Sequence, residues 1–199
     1  MAAAKREGYR SRAAYKLEEI ADKYGLLKPG DVVVDLGAAP GGWSQIAAKR
    51  VHAAEGKGAV VALDILTFDA IPGVTILLQD FSEPAAEERL LAALAGRRPN
   101  AVLSDMAAPT TGHRQTDHLR IMGLAEEALA FAIQVLAPGG TFLAKVFQGG
   151  SEKSLLDLLK RDFANVRHIK PKASRAASPE LYVLATGFRG SAASPNVAD

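Results

Sequence analysis

Four aspartates of the 199-residue chain, Asp35, Asp64, Asp80 and Asp105, each stand at or just after the end of an apolar run. The first belongs to Val32-Val33-Val34-Asp35-Leu36-Gly37-Ala38-Ala39-Pro40-Gly41-Gly42-Trp43, where a β-branched run breaks into a glycine-rich turn. In an open α/β sheet such positions share the carboxyl edge, where ligands bind. Like charges gathered there cost energy unless a ligand of opposite sign meets them. Asp35 would repel a pyrophosphate and hold an ammonium or sulfonium group. Asp64 lies 22 residues beyond Gly42, the interval of a carboxylate that grips ribose hydroxyls after the second strand. That interval alone also suits a dinucleotide dehydrogenase. The turn, however, does not read G-x-G-x-x-G, and no G-K-[ST] follows it. Ribose, adenine, an amino-acid head, a positive sulfur and no phosphate describe S-adenosylmethionine, which is the cofactor these residues predict. Gly37, Gly41 and Gly42 would let the backbone approach it. Trp43 either packs the turn or lines the pocket.

A second chemical signal is Lys145, written into Phe142-Leu143-Ala144-Lys145-Val146-Phe147. An ammonium in such a run must find a charged partner or give up its proton. A neutral amine is a competent general base. A nearby cation favours the neutral form and nearby carboxylates favour the charged one, so both stay open. His113 and His118 fall near Asp117 in what reads as a polar substrate loop, and no further ligand cluster accompanies them, so no metal is expected.

Positioning these groups requires alternating strands and helices. Helical spacing of Leu17, Ile20, Ala21 and Tyr24, with Ser11 as N-cap, predicts a helix over 11–24. Strands are expected at 32–36, 59–63, 74–78, 101–104, 141–146, 165–169 and 180–186. Further helices are expected at 43–50, 84–94, 119–136 and 151–162, the third stopped by Pro138-Gly139-Gly140. This alternation predicts an α/β fold with helices on both faces of a largely parallel sheet. The last two strands are joined by a loop too short for a crossover helix. They are expected to pair antiparallel, giving a mixed seven-stranded sheet. Residues 1–190 read as one domain and 191–199 as a frayed tail.

Composition narrows the classes. The chain is 48% hydrophobic, lacks cysteine and carries a formal charge of +2. Cysteine nucleophiles and disulfides are therefore excluded, and a reducing, cytoplasmic setting is expected. No run approaches the ~20 apolar residues of a membrane span. Charge is unevenly spread: residues 1–16 hold five bases and one acid, residues 160–175 six bases and one acid, and the remainder 13 bases and 20 acids. Two basic clusters on an acidic body suit a polyanionic partner. Aromatics are only 6%, so shape-based recognition of structured RNA fits better than extensive base stacking.

The chain resembles the FtsJ/RrmJ-type ribose 2′-O-methyltransferases of large-subunit ribosomal RNA. The resemblance lies in Tyr9-Arg10-Ser11-Arg12-Ala13-Ala14-Tyr15-Lys16-Leu17, in Val34 to Gln45, and in Leu103-Ser104-Asp105-Met106-Ala107. It continues through Leu136-Ala137-Pro138-Gly139-Gly140, Lys145-Val146-Phe147-Gln148-Gly149 and Ser178-Pro179-Glu180-Leu181-Tyr182. It implies a Rossmann-like methyltransferase fold and a catalytic tetrad of Lys16, Asp105, Lys145 and Glu180. For the cofactor it implies Gly41, Trp43, Asp64, Asp80 and Asp105. Lys145 would then serve as base toward a uridine ribose in the assembling large subunit, in a monomeric enzyme. Transfer RNA ribose, or a non-catalytic role in ribosome assembly, remain the alternatives. Two features of the residues favour a sugar over a base as acceptor: no cysteine is available to attack cytosine, and Asp105-Met106-Ala107-Ala108-Pro109 lacks the aromatic that stacks a flipped base. That segment carries one alanine more than the family's Met-Ala-Pro, and the chain has a short arm before Lys16, so substrate choice is expected to differ. Lys172 and Arg175 are candidate phosphate contacts.

Overall fold

The computed structural model describes residues 8–148, 153–175 and 177–190. Its sheet is assembled in the order β3-β2-β1-β4-β5-β7-β6. The strands are β1 (Val32–Leu36), β2 (Ala59–Asp64), β3 (Val74–Leu78), β4 (Ala101–Ser104), β5 (Thr141–Phe147), β6 (Phe163–Ile169) and β7 (Glu180–Phe188). The first five pair in parallel, whereas β7 runs antiparallel to both β5 and β6. The result is the expected mixed seven-stranded sheet. β7 reaches Phe188, two residues beyond expectation, because it is paired on both sides and Phe188 still meets Phe163 on β6.

Among the described residues five helices cover the sheet: α1 (Ala13–Tyr24), α2 (Gly42–Val51), α3 (Pro84–Leu94), α4 (Arg114–Val135) and α5 (Lys153–Asp162). Helices α1 and α2 pack Leu17, Ile20 and Ile46 against Val33, Leu103, Leu143 and Leu184 on one face. Helices α3, α4 and α5 pack Leu90, Leu129 and Leu159 against Val34, Val102, Phe142 and Val183 on the other. The central strands are mostly apolar because both faces are covered, with Asp35 in β1 and Lys145 in β5 as the charged exceptions. Side chains alternate between faces, so Leu103 and Asp105, Leu143 and Lys145, and Leu184, Tyr182 and Glu180 all belong to the α1–α2 side.

Two local expectations are corrected. Ser11 does not cap α1: Arg12 occupies the N-cap position without a side-chain cap, and Ser11 Oγ is instead buried beside Gly42. The helix expected at 119–136 begins at Arg114. The Asp117 carboxylate accepts from both the amide and the hydroxyl of Thr111, at 2.7 Å each, and folds the preceding loop onto the first turn. Asp117 and His118 are thus helical rather than part of a polar loop. The predicted helix start at 151–152, the tail at 191–199, and Lys5 and Arg6 of the basic arm lie outside the described residues.

Candidate active site

Strand register builds the site. Ser104 pairs with Ala144, so Asp105, one residue on, adjoins Lys145, and Lys145 in turn pairs with Tyr182. Asp105, Lys145 and Tyr182 therefore form a row across three adjacent strands. Glu180 lies two residues before Tyr182, on the same face. Helix α1 lays Lys16 over this row. Lys145 Nζ is 2.9 Å from Asp105 Oδ1 and 3.7 Å from Glu180 Oε2, and it also donates to the Asp105 carbonyl at 3.2 Å. Lys16 Nζ donates to Glu180 Oε1 at 2.5 Å. Two cations and two anions are interleaved, each largely withdrawn from solvent. All four tetrad residues expected from the sequence meet here.

Tyr182 completes the network, and no role is expected for it from the sequence. Its hydroxyl donates to Asp105 Oδ1 at 2.8 Å, has Glu180 Oε1 at 3.2 Å as a second acceptor, and accepts from Lys16 Nζ at 3.4 Å. One atom thus touches three members of the tetrad. Burial, reinforced by the negative charges of Asp105 and Glu180, raises its pKa far above the ordinary phenol value, so it remains a donor. Burial pulls the Glu180 carboxyl upward as well. The Lys16 hydrogen bond, the Lys145 and Lys16 charges and the Tyr182 hydroxyl outweigh that pull and hold it below its ordinary range. The signal that would have found Tyr182 is its i+2 spacing from Glu180, which puts both side chains on one face of a strand.

Beside the tetrad lies a cavity of about 640 Å³, lined by Gly37, Asp64, Asp80, Asp105 and the segment Met106-Ala107-Ala108-Pro109. The extra alanine after Asp105 is thus part of its wall. Gly37 has φ +74°, and a Cβ there would lie 2.8 Å from the Met106 backbone, so only glycine lets the β1 turn meet the chain after β4. The Asp64 carboxylate accepts from the amides of Ala39 at 2.9 Å and Leu66 at 2.8 Å. That fixes its orientation and leaves lone pairs for hydroxyl donors. The hydroxyl and amide of Ser82, at 2.7 and 2.9 Å, hold the Asp80 carboxyl below its ordinary pKa. Three carboxylates against apolar walls suit a ligand with sugar hydroxyls and a positive centre. A phosphate would meet only like charge from them.

Four expected cofactor contacts are not in that lining. Asp35 sits within β1, fully buried, and receives a hydrogen bond from Ser44 Oγ at 2.6 Å. Desolvation, opposed by the Ser44 hydrogen bond and aided by the charges of Asp105 and Asp64, raises its pKa to about 7. An enclosed carboxyl outside the lining does not set the sign of the cleft; Asp64, Asp80 and Asp105 do. Gly41 faces Arg10, Phe68 and Ile71 instead of the cavity. Gly42 packs against Ser11, whose Oγ would lie 2.2 Å from a Cβ there. Trp43 is core: its Nε1 donates to the Ala13 carbonyl at 2.8 Å, and its ring lies 5.6 Å from that of Tyr182. Through that contact it supports the tetrad from beneath. Among the described residues no cluster of three or more potential metal ligands occurs.

The family model of FtsJ-like methyltransferases matches residues 9–188. A ribosomal RNA large subunit methyltransferase E of Rhodopseudomonas palustris (strain BisA53) is 66% identical over 190 residues, covering 96% of this chain and 80% of the relative. A protein of the same name from Azorhizobium caulinodans is 62% identical over 192 residues, covering 96% and 80% respectively. Among solved structures, a Plasmodium falciparum protein described as a ribosomal RNA methyltransferase superposes with a TM-score of 0.81 at 30% identity, over 92% of this chain and all of that one. A Streptococcus mutans protein in complex with S-adenosylhomocysteine shares the fold, with a TM-score of 0.55 at 14% identity over 87% of this chain and 98% of its own.

Proposed function

The chain belongs to the FtsJ-like methyltransferases, and from that premise we propose that it methylates the ribose 2′-hydroxyl of a uridine in large-subunit ribosomal RNA, within the assembling particle. The observation that carries this reading is the double membership of Asp105. Its side chain is hydrogen-bonded into the Lys16–Lys145–Glu180 cluster and it also lines the acidic cavity. A base and a donor site are thereby joined at one residue. Two relatives with more than 60% identity carry the matching substrate in their names.

S-adenosylmethionine, when bound, supplies an electrophilic methyl group on a positive sulfur. Asp64, Asp80 and Asp105 would hold it, with Gly37 in the same lining. The chain's own residues manage the acceptor. A ribose hydroxyl is a very weak acid and must lose its proton as the new C–O bond forms. Lys145 in its neutral form takes that proton at Nζ. Lys16 stabilises the developing alkoxide, and Asp105 and Tyr182 orient the reacting groups. Glu180 keeps the two lysines apart and aligned. Placing acceptor and donor side by side provides most of the acceleration.

The four tetrad side chains meet within one chain, so the reading is of a monomeric enzyme that needs no residue from a second copy. A ribosomal substrate supports a cytoplasmic one. No described helix is long and apolar enough to cross a membrane. The test is incubation of purified protein with labelled S-adenosylmethionine and unmethylated large ribosomal subunits, followed by alkaline hydrolysis. Alkali-resistant dinucleotides bearing the label are expected, with Lys145→Ala nearly silent. Label in alkali-sensitive mononucleotides, or incorporation indifferent to Lys145→Ala, refutes the assignment.

A further inference from the structure

The β6–β7 loop contains Lys170, Lys172 and Arg175 and belongs to the basic cluster at 160–175. At its centre this positive segment is tied to a carboxylate. Glu19 of α1 accepts from the Lys172 amide at 2.9 Å through Oε2 and 3.1 Å through Oε1, and from the Ala173 amide at 3.5 Å. Glu19 is three residues after Lys16, so the two stand on neighbouring positions of one helix face. The loop leads directly into the site, since Ser174 Oγ lies 3.4 Å from Glu180 Oε1 and Ser178 Oγ accepts from the Glu180 amide at 3.2 Å. Lys170 closes the loop on itself by donating to the Ser178 carbonyl.

An acidic side chain beside a polyanion site is electrostatically unfavourable to the complex. Its geometry supplies the reason for its presence. Lys170, Lys172 and Arg175 are exposed and only Pro171 of residues 170–175 is buried, so little apolar burial fixes the amides of this loop, and a carboxylate receiving two of them gives charge-assisted hydrogen bonds of known direction. We infer that Glu19 is a positioning residue for the RNA substrate: it fixes residues 170–175 against the helix that carries Lys16, so that the loop's cations are presented to RNA phosphates at a set distance from the tetrad. This inference rests on the RNA methyltransferase reading above.

Two substitutions separate position from charge. Glu19→Ala removes both acceptor oxygens, whereas Glu19→Gln removes the charge and keeps one acceptor. Simple electrostatics requires both to bind RNA more tightly than wild type, because each removes a negative charge from a basic surface. The positioning role requires Glu19→Ala to raise the KM for unmethylated large ribosomal subunits about tenfold, the scale of losing one charge-assisted contact. It requires Glu19→Gln to stay within about threefold of wild type. Donor affinity, measured by calorimetry with S-adenosylmethionine, is unchanged in both. Hydrogen exchange read without any RNA gives an independent check: the Lys172 and Ala173 amides exchange faster in Glu19→Ala. Equal or tighter subunit binding by Glu19→Ala overturns the inference, as does unchanged exchange at those amides. A parallel loss of donor affinity in Glu19→Ala and Glu19→Gln overturns it too, since Glu19 would then support the fold at large. If wild-type protein itself fails to methylate the subunits, it is the functional reading that falls.

Discussion

Replacing Asp35 by asparagine changes the one charged residue whose side chain is fully buried among the described residues. The folded protein lifts this carboxyl from an ordinary 3.8 to about 7, mainly through desolvation. The sign follows from linkage. Between those two values the folded chain keeps a proton that the unfolded chain has released, so stability falls as pH rises through the interval and levels off above it. At about 1.36 kcal/mol per pH unit, the full cost of forcing the ionised form into the core is about 4 kcal/mol above pH 7. A carboxamide at this position cannot ionise and can still accept the hydrogen bond from Ser44. Any packing or hydrogen-bond penalty it introduces is the same at every pH. The difference in stability between variant and wild type should therefore move in favour of Asp35→Asn by about 3 kcal/mol from pH 5 to pH 8. Trp43 is the only tryptophan, packed in the core, and its fluorescence reports the unfolding. With a urea slope of about 2 kcal/mol per molar, the relative midpoint shifts by about 1.5 M across that range. A gap between the two proteins that is the same at both pH values, or one that moves toward wild type as pH rises, refutes the reasoning.

Two further outcomes test the tetrad. Lys145→Arg keeps a cation beside Asp105 and Glu180 but cannot release a proton, so methyl transfer should fall about 10²–10⁴-fold while calorimetric affinity for S-adenosylmethionine holds; near-normal turnover would reduce Lys145 to a counter-charge. Tyr182→Phe keeps the ring against Trp43 and deletes the hydroxyl shared by Asp105, Glu180 and Lys16, so kcat should drop about 10- to 100-fold with donor KM unchanged, and a variant with wild-type kcat would show that the tetrad aligns without it.

The alternation of apolar runs and helical periods made the sheet legible, and the carboxylates at 64, 80 and 105 were legible as cavity groups because each stands where a strand ends. Asp35 misled for a physical reason. It precedes the same kind of glycine turn, yet it stands one residue inside the strand, where period-2 alternation sends it under α2 and into contact with Ser44. No linear signal distinguishes a carboxylate at a strand tip from one a residue short of it. The packing of Gly42 and Trp43 is not legible in the sequence, because their neighbours are Ser11 and Ala13, some 30 positions away in the chain. Tyr182 was hidden because a tyrosine in a strand is ordinary. Its role exists only once β5 and β7 are in register. Helix α4 was underestimated because its first turn is held by Thr111, a residue from outside the helix.

The antiparallel end of the sheet has a consequence for biosynthesis. β7 threads between β5 and β6, both made earlier, and it brings Glu180 and Tyr182 to cations already in place. A nascent polypeptide halted before that strand can possess the whole donor pocket, yet it leaves Lys16 and Lys145 without Glu180, the carboxylate that both approach. On the role proposed for Glu180, competence is acquired in a single late event, and premature termination products are expected to be catalytically mute however well their first five strands have assembled.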